Sequence, residues 1–302
     1  MRRSDRSAVR AVLPCAVALI GLSSGSSNAY AQAWVPPANV GILSIGYQHI
    51  DNTNHRLTDG TLLDGYDSVS RSMLLSFDYA VTDRFSFSIA LPYVGSKYTG
   101  PEPSFFGLPI DDCFCWNNGW QDVNATARYN LVNDAFALTP SVSIGVPSHD
   151  YAYSGEAVLG RNLNETRIGI DAGLRLDAVS PRLSVSGRYA YAFVEEVLDL
   201  ANNRSNMALE AGFLATRRLS TRVGFLWQRS HGGLRTSEFT SDEYLEQFDR
   251  LLRDNNFHIL GGVAYSFPRF DVFASYVHYA DGTDTHVGRA ITTGISWPFQ
   301  TR

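Results

Sequence analysis

The sequence contains almost no lysine, only three cysteines and, after residue 31, no long apolar segment. Lys97 is the only lysine among 25 basic residues, and charged residues make up 18% of the chain. A membrane-spanning helix needs a run of about 20 apolar residues, so the chain after residue 31 is not a helical membrane protein. The net charge is −5 and no basic region follows residue 31, so we expect no nucleic-acid partner.

The residues that are abundant are typical of a β protein. Aromatic residues make up 12% of the chain and hydrophobic residues 44%, with 25 glycines among the 302 residues. So many aromatic and β-branched residues exclude an intrinsically disordered chain. Low charge together with abundant tyrosine and glycine indicates an all-β protein whose strands each have one apolar face.

The first 31 residues have the pattern of a secretory signal peptide. Four arginines within the first ten residues precede an apolar run over 11–22, and Ala29 and Ala31 form a small-residue cleavage site. The apolar run of about 12 residues is too short to span a bilayer. We therefore predict a cleaved signal peptide at 1–31, export by the general secretory route, and a mature domain at 32–302.

Polar and apolar residues alternate repeatedly along the mature chain. In the segment 182–193, for example, Val185 and Tyr189 fall on one face and Ser186 and Arg188 on the other. A period of two is the mark of a β-strand with one apolar face. Twelve segments show it: 40–49, 68–80, 85–94, 119–131, 136–147, 164–178, 182–193, 204–216, 221–229, 256–267, 269–279 and 287–299.

The connections between these segments alternate between long and short. The first connection, 50–67, is predicted to be long, the second, 81–84, is short, and the last, 280–286, is of medium length. Short turns at one rim and long loops at the other are the pattern of outer-membrane barrels. We therefore predict an all-β fold, a transmembrane antiparallel up-and-down barrel of about twelve strands with both termini at the short-turn rim. A secreted soluble β-protein is the alternative.

Charged residues recur on the polar faces of the predicted strands. In a barrel, those faces line the lumen. One interpretation is a field that orients and selects solutes in a narrow pore, and the other is a network of ion pairs that fills the barrel. The predicted lumen-lining residues are Asp78, Asp122, Arg128, Arg167, Asp171, Arg175, Asp177, Arg188, Glu210, Arg222 and Asp271.

Cys113 and Cys115 are the only cysteines of the mature chain, and both lie in the second long connection. Export leads to an oxidising compartment, so a disulfide between them is feasible although their separation is short. A metal site would need further ligands, such as Asp111, Asp112 and a distant histidine, and their spacing gives no support. We predict no metal and no cofactor.

The long connection 230–255 is predicted to contain a helix. Thr240, Ser241, Asp242 and Glu243 resemble a capping box, and leucines and aromatic residues follow at helical spacing. Such a helix either rests on the rim of the barrel or forms a lid over its mouth.

A barrel enzyme is a further alternative, because some barrels carry lipid-modifying sites. A serine hydrolase needs a nucleophile, a base and an orienting group held together. None of the seven histidines lies in a recognisable catalytic motif, and Ser70-Arg71-Ser72 is only a fragment of an outer-membrane phospholipase signature. We predict that the protein is not an enzyme.

Two short motifs resemble a known family. Gly119 and Asp122 precede Arg128-Tyr129 at the start of one predicted strand, and Leu91-Pro92-Tyr93 ends another. Both resemble outer-membrane proteins of the MetA-pathway of phenol degradation family, although Trp120-Gln121 interrupts the usual Gly-x-Gly-Asp. The resemblance implies a barrel that admits hydrophobic or aromatic compounds. It implies no catalytic residues.

The sequence therefore predicts a channel or transporter for small solutes, including hydrophobic or aromatic ones, in the bacterial outer membrane. The expected partners are outer-membrane lipid, a small-molecule solute and, during biogenesis, the barrel assembly machinery. The alternatives are a structural or adhesive barrel with a plugged lumen and a lipid-modifying barrel enzyme.

Overall fold

The computed structural model describes residues 33–100, 104–105, 108–109, 115–154 and 157–301. The predicted signal peptide at 1–31 and Cys113 lie outside the described residues. The barrel strands are β1 (Val40–Arg56), β2 (Leu62–Ala80), β3 (Phe85–Tyr98), β4 (Asn117–Trp120 and Asp122–Tyr129), β5 (Phe136–Pro147), β6 (Glu165–Arg175), β7 (Leu183–Val194), β8 (Arg204–Leu214), β9 (Leu219–Ser230), β10 (Asn255–Ser266), β11 (Asp271–Thr283) and β12 (Thr285–Gln300).

The twelve strands form a closed antiparallel barrel. Each strand pairs with its neighbours in sequence, and β1 pairs with β12 from Val40 opposite Gln300 to Arg56 opposite Thr285. The same ring includes a continuous ladder between β5 and β6. Closure gives every strand two partners, so the barrel has no open edge. The predicted fold and strand number are confirmed.

Two connections are shorter than predicted. β1 and β2 remain paired as far as Arg56 opposite Leu62, so their loop is only 57–61 rather than 50–67. β11 and β12 are joined at Asp284, whose φ of 52° makes a tight turn. The predictions of a long first and a medium last connection are wrong. Polar strand ends continue the ladder beyond the apolar segments, because backbone pairing does not require an apolar face.

The outer surface of the barrel is apolar. Exposed side chains on it include Val223 at 62% and Ile168 at 55% relative accessibility, and aromatic residues such as Tyr129 and Phe136 near the strand ends. A band of exposed aliphatic residues flanked by aromatic ones is the lipid-facing surface of a transmembrane barrel. In the part of the chain that the structure describes, no helix is long and apolar enough to cross a membrane.

One rim carries short turns and the other carries loops of varied length. At the short-turn rim, the connections are 130–135, 176–182 and others of similar length. The long-loop rim includes L3 (148–164), L4 (195–203) and L5 (231–254). L5 contains a 3₁₀ turn (Thr236–Glu238) and two short helices, α1 (Asp242–Glu246) and α2 (Phe248–Leu251).

Candidate functional site in the barrel lumen

The inward side chains divide the lumen into two walls. The charged wall consists of inward side chains of β4 and β6–β9, and the neutral wall of those of β11, β12 and β1. The charged wall comprises Asn124, Arg128, Glu165, Arg167, Asp171, Arg188, Arg204, Glu210 and Arg222. The neutral wall comprises Phe273, Ser275, Val277, Ala290, Thr292, Ser296, Ile42, Ser44 and Gln48. Asp271, at the short-turn end of β11, is the acidic residue beside the neutral wall.

Charges of opposite sign are paired along the charged wall. Nε of Arg188 lies 2.5 Å from Oδ1 of Asp171, which is directly opposite it on the adjacent strand. Nη1 of Arg222 lies 3.6 Å from Oε2 of Glu210. Each pair joins adjacent strands, so the pairs hold neighbouring strands together and orient one another's side chains.

A third pair spans three strands. Nη2 of Arg128 on β4 lies 3.1 Å from Oδ1 of Asp78 on β2. Between them, β3 presents Ser86 opposite Arg128 and Ser88 opposite Asp78. The small serine side chains leave the space that the long arginine side chain occupies.

Near the long-loop rim, one carboxylate joins two arginines. Glu165 forms ion pairs with Arg204 and, at 3.3 Å, with Nε of Arg167. Arg204 reaches Glu165 across β7, where the intervening Ala192 is fully buried. The amide oxygen of Asn124 accepts a further hydrogen bond from Arg167. The sequence prediction included Arg167 but missed Glu165 and Arg204, whose alternation with Glu210 and Asp171 would have placed them on the polar faces.

Arg161 of L3 carries a further charge near this cluster. Its burial, and then the nearby positive charge of Arg204, lower its pKa to about 10. It therefore remains protonated at neutral pH. Glu165 and two aspartates of L5, Asp249 and Asp254, supply opposing charge.

The neutral wall is packed. Ser44 donates a hydrogen bond to Ser296 at 2.9 Å, and Gln48 donates to Thr292 at 3.1 Å. Relative accessibilities are 5% for Ser44 and 0–1% for the other three residues. The charged wall is more open, since the side chains of Arg167 and Arg188 are each 32% accessible. The accessible part of the charged wall is therefore formed by Arg167, Arg188, Glu210 and Arg222, whereas Asp171 and Arg128 on the same wall are buried.

At the long-loop rim, L3 folds into the barrel. The hydroxyl of Tyr151 donates a hydrogen bond to Asp122, and Tyr151 packs with Val94 and Leu159 in a buried cluster. Burial, reinforced by the negative charge of Asp122, raises the pKa of Tyr151, so the phenol remains a donor. Gln121, at the interruption of β4, donates to the Leu159 carbonyl at 2.7 Å.

Arg250 of α2 joins L5 to L3. Its Nε donates to the Arg161 carbonyl at 2.9 Å and its Nη2 to the Asn162 carbonyl at 3.0 Å. Its guanidinium carbon lies 3.2 Å from the centre of the Tyr153 ring. One side chain thus makes three contacts between the loops, and no sequence pattern indicated them because both loops lack regular alternation.

L5 covers the mouth with a small apolar core. Phe239, Phe248, Leu251 and Leu252 are buried together, and partly buried leucines of L4 and of loop 57–61 pack against them. Ser241 caps α1 by accepting a hydrogen bond from the Tyr244 amide at 3.3 Å. The helical segment predicted in this loop is present, as two short helices that pack onto the neighbouring loops.

At the opposite rim, the chain before β1 enters the barrel. Ala33 and Val35 are buried. The Ala33 carbonyl accepts hydrogen bonds from Asn130 Nδ2 at 3.1 Å and Thr139 Oγ1 at 2.5 Å. Trp34 packs over Gly173, where any larger side chain would collide with the indole ring. We name residues 33–39 the N-terminal segment; it crosses the short-turn rim from β1 to β4–β6.

Three predicted residues lie near the short-turn rim. Arg175 pairs with Asp177 at 3.6 Å and with Asp134 at 3.7 Å, in a partly exposed arrangement. Asp271, which begins β11, is buried at 2% accessibility and forms no ion pair with the residues described. Their contact with a solute stays a prediction.

Cys115 is disulfide-bonded. Because Cys113 lies outside the described residues, the pairing of the two cysteines stays a prediction.

One serine and histidine pair lies on the outer face near the long-loop rim. Ser205 Oγ lies 2.7 Å from His231 Nε2 and 2.9 Å from the Tyr189 hydroxyl. In the described part of the chain no carboxylate contacts His231, so the pair lacks the orienting group of a hydrolase triad. Over the same residues, no group of three or more histidine, cysteine, aspartate or glutamate side chains is placed to hold a metal ion.

Comparison with known proteins supports the fold. The COG4313 outer membrane channel from Pseudomonas putida F1 is similar over 89% of this chain and 98% of that chain, with 13% identity and a TM-score of 0.69. The translocator domain of autotransporter NalP from Neisseria meningitidis is similar over 87% and 90%, with 11% identity and a TM-score of 0.52. At these identities the likeness shows the barrel fold alone.

No family model and no curated protein sequence matches the chain. The likeness to an outer-membrane channel supports the predicted class of barrel, whereas the MetA-pathway of phenol degradation family is not supported.

Proposed function

We propose that this protein is an outer-membrane channel for small solutes, whose path follows the charged wall. The observation that carries the proposal is the unequal accessibility of the two walls. Arg167, Arg188, Glu210 and Arg222 are 25–32% accessible at their side chains, while the neutral wall is closely packed. Partly hydrated charges along one side of a closed barrel are the lining expected of a selective aqueous path. The likeness to a COG4313 outer membrane channel agrees with this proposal.

The solute class is the finer part of the proposal. A solute on this path would meet the partly accessible arginines and carboxylate of the charged wall, because Phe273, Val277 and Ile42 of the neutral wall are buried. Such a lining suits a small molecule with a charged or polar group, including an aromatic acid.

Planar-bilayer conductance of the detergent-folded barrel tests the channel. Discrete steps that change in size or ion selectivity with Arg188→Ala, but not with Thr292→Ser on the neutral wall, would support it. Steps that respond equally to both variants would place the path elsewhere. Liposome swelling tests the solute class. The rate of swelling in benzoate is compared with the rate in a sugar of similar size.

The second candidate is a structural barrel with a plugged lumen. It is favoured by the occupation of both rims, by L3 and L5 at one and by the N-terminal segment at the other. A silent bilayer from protein with β circular dichroism and heat-modifiable mobility, persisting in the Trp34→Ala/Arg250→Ala double variant, would support this candidate over the channel.

A further inference from the structure

We propose that an outward-facing cavity at the long-loop rim binds a phosphate monoester of a membrane glycolipid. The cavity has a volume of about 520 Å³ and lies at the ends of β9, β10 and β11 beside the base of L5. Three arginines line it, Arg229, Arg235 and Arg253, together with Trp227 and Phe257. The inference rests on the outer-membrane location proposed above, with the long loops at the extracellular side as in outer-membrane barrels, and does not depend on conduction.

Arg229 lies at the boundary of the apolar band. On β9, the outward row runs Val223, Phe225, Trp227 and Arg229, so the side chains change from aliphatic to aromatic to cationic. A strand of 12 residues tilted by about 45° rises roughly 28 Å, close to the apolar band of about 25 Å. The penultimate residue of β9 is therefore at the level of lipid headgroups.

The acidic residues of the cavity are already satisfied. Asp281 pairs with Arg56, whose Nη1 lies 3.3 Å from its Oδ1. Asp284 accepts hydrogen bonds from the hydroxyls of Thr58 at 2.7 Å and Thr236 at 2.6 Å. Arg56 therefore offsets the charge of Asp281, and the hydroxyl donors stabilise the Asp284 carboxylate, so among the described residues the three cavity arginines face one carboxylate without an ion-pair partner.

The arginines retain capacity for a ligand. Over the residues described, neither Arg229 nor Arg235 forms an ion pair, and both are exposed. Arg253 uses Nε for the carbonyls of Gly232 and Gly233, each at 3.1 Å. This leaves its two terminal amino groups for other acceptors. Guanidinium groups bind phosphate oxygens in paired hydrogen bonds, and aromatic rings beside them suit the sugar or acyl part of a glycolipid.

The position of the cavity favours lipid phosphate over a free anion. Trp227 and Phe257 continue the outward aromatic surface, and Phe257 contacts Phe225 at a ring separation of 5.4 Å. A phosphate held here on a lipid keeps its acyl chains against that surface, whereas inorganic phosphate makes no use of it. The extracellular leaflet of an outer membrane presents phosphorylated glycolipid at this level, and clustered basic side chains are the usual recognition element for such headgroups.

Native mass spectrometry of the full detergent-folded barrel tests the site. The probes are bis-phosphorylated lipid A, the same lipid without phosphates, and inorganic phosphate as competitor. We compare the wild type with Arg229→Gln/Arg235→Gln and with a matched control, Arg217→Gln/Arg218→Gln. The control removes the same charge from two exposed arginines of the opposite rim.

We expect lipid A to bind to the wild type and to the control. Its affinity for the site variant should be lower by about tenfold or more, and so should the affinity of the phosphate-free lipid for the wild type. If millimolar inorganic phosphate displaces lipid A from the wild type but not from the site variant, the arginines form a phosphate site whose ligand can be a free anion. Equal binding of both lipids, or equal binding to both double variants, would overturn the proposal. Arg229→Lys/Arg235→Lys, which keeps the charge, should bind more tightly than the glutamine variant.

Discussion

The charged wall and the neutral wall of the barrel differ in how their inward side chains pair and in how far those side chains are buried. On the charged wall, long side chains of neighbouring strands pair, as Arg222 does with Glu210, and remain partly accessible to solvent. On the neutral wall, hydroxyl and amide groups pair locally, as Ser44 does with Ser296, and are buried. The more accessible of these inward side chains are charged, and burying a charge is more costly than burying a hydrogen-bonded hydroxyl or amide.

The largest expected effect comes from removing the central carboxylate of the charged wall. Glu165→Gln leaves Arg167 and Arg204 without their shared counter-charge in a largely buried position. Breaking a buried ion pair on one side costs about 3–5 kcal/mol of unfolding free energy. The urea midpoint of the detergent-folded barrel, read by heat-modifiable mobility, measures it. A loss under about 1 kcal/mol would mean that the cluster is well solvated. Glu165→Asp distinguishes loss of charge from failure to fold.

A second effect should appear in gating, because L3 is anchored to the charged side of the lumen. Arg250→Ala removes two hydrogen bonds to L3 carbonyls and the contact with Tyr153. These contacts are together worth about 1–3 kcal/mol. If L3 and L5 close the path, the ratio of open to closed time in single-channel records should rise roughly five- to 150-fold. Arg253→Ala, also in L5 but without contact to L3, is the control. Unchanged open times would show that the loops do not gate.

The neutral wall should respond less. Ser44→Ala removes one buried hydrogen bond to Ser296. A neutral hydrogen bond contributes about 1 kcal/mol of unfolding free energy. A double-mutant cycle with Ser296→Ala isolates the contact. If Ser44→Ala lowered the free energy of unfolding as much as Glu165→Gln does, the two walls would not differ in their contribution to stability.

The smallest effect is expected at the short-turn rim. Arg175 has a side-chain accessibility of 37% and lies 3.6–3.7 Å from two exposed aspartates. Exposed pairs of this kind contribute between about 0 and 1 kcal/mol, reduced further by salt. Arg175→Gln should therefore shift the urea midpoint little, and less still at 0.5 M salt (roughly a 4 Å Debye length). A clear loss would mean that the rim pairs act together with the N-terminal segment.

Much of the barrel could be predicted from alternation alone. The twelve segments recur in the structure, and residues such as Asp171 and Arg188 lie on the polar side of their strands as the period of two requires. The N-terminal segment could not be predicted in the same way. Its contacts depend on a carbonyl of Ala33 and the ring of Trp34, which meet residues about 100 positions away.

The cap at the long-loop rim was only partly predictable. The capping residues around Ser241 indicated a helix, and Ser241 does cap α1. The sequence left open whether that helix rests on the rim or forms a lid, because the answer depends on Leu57, Leu63 and L4, which supply the rest of the apolar core. The contacts of Arg250 with L3 depend on the same packing of L5.

The sequence by itself determined the central part of each strand, its two faces and the short-turn rim, because each depends on side chains a few positions apart. Tertiary structure alone decided the closure of β1 on β12 and the partners of the inward charges. Asp78 and Arg128 are 50 positions apart and meet only because β3 places two serines between them. Register between strands, which no local pattern contains, sets which charges meet and where the lumen stays hydrated.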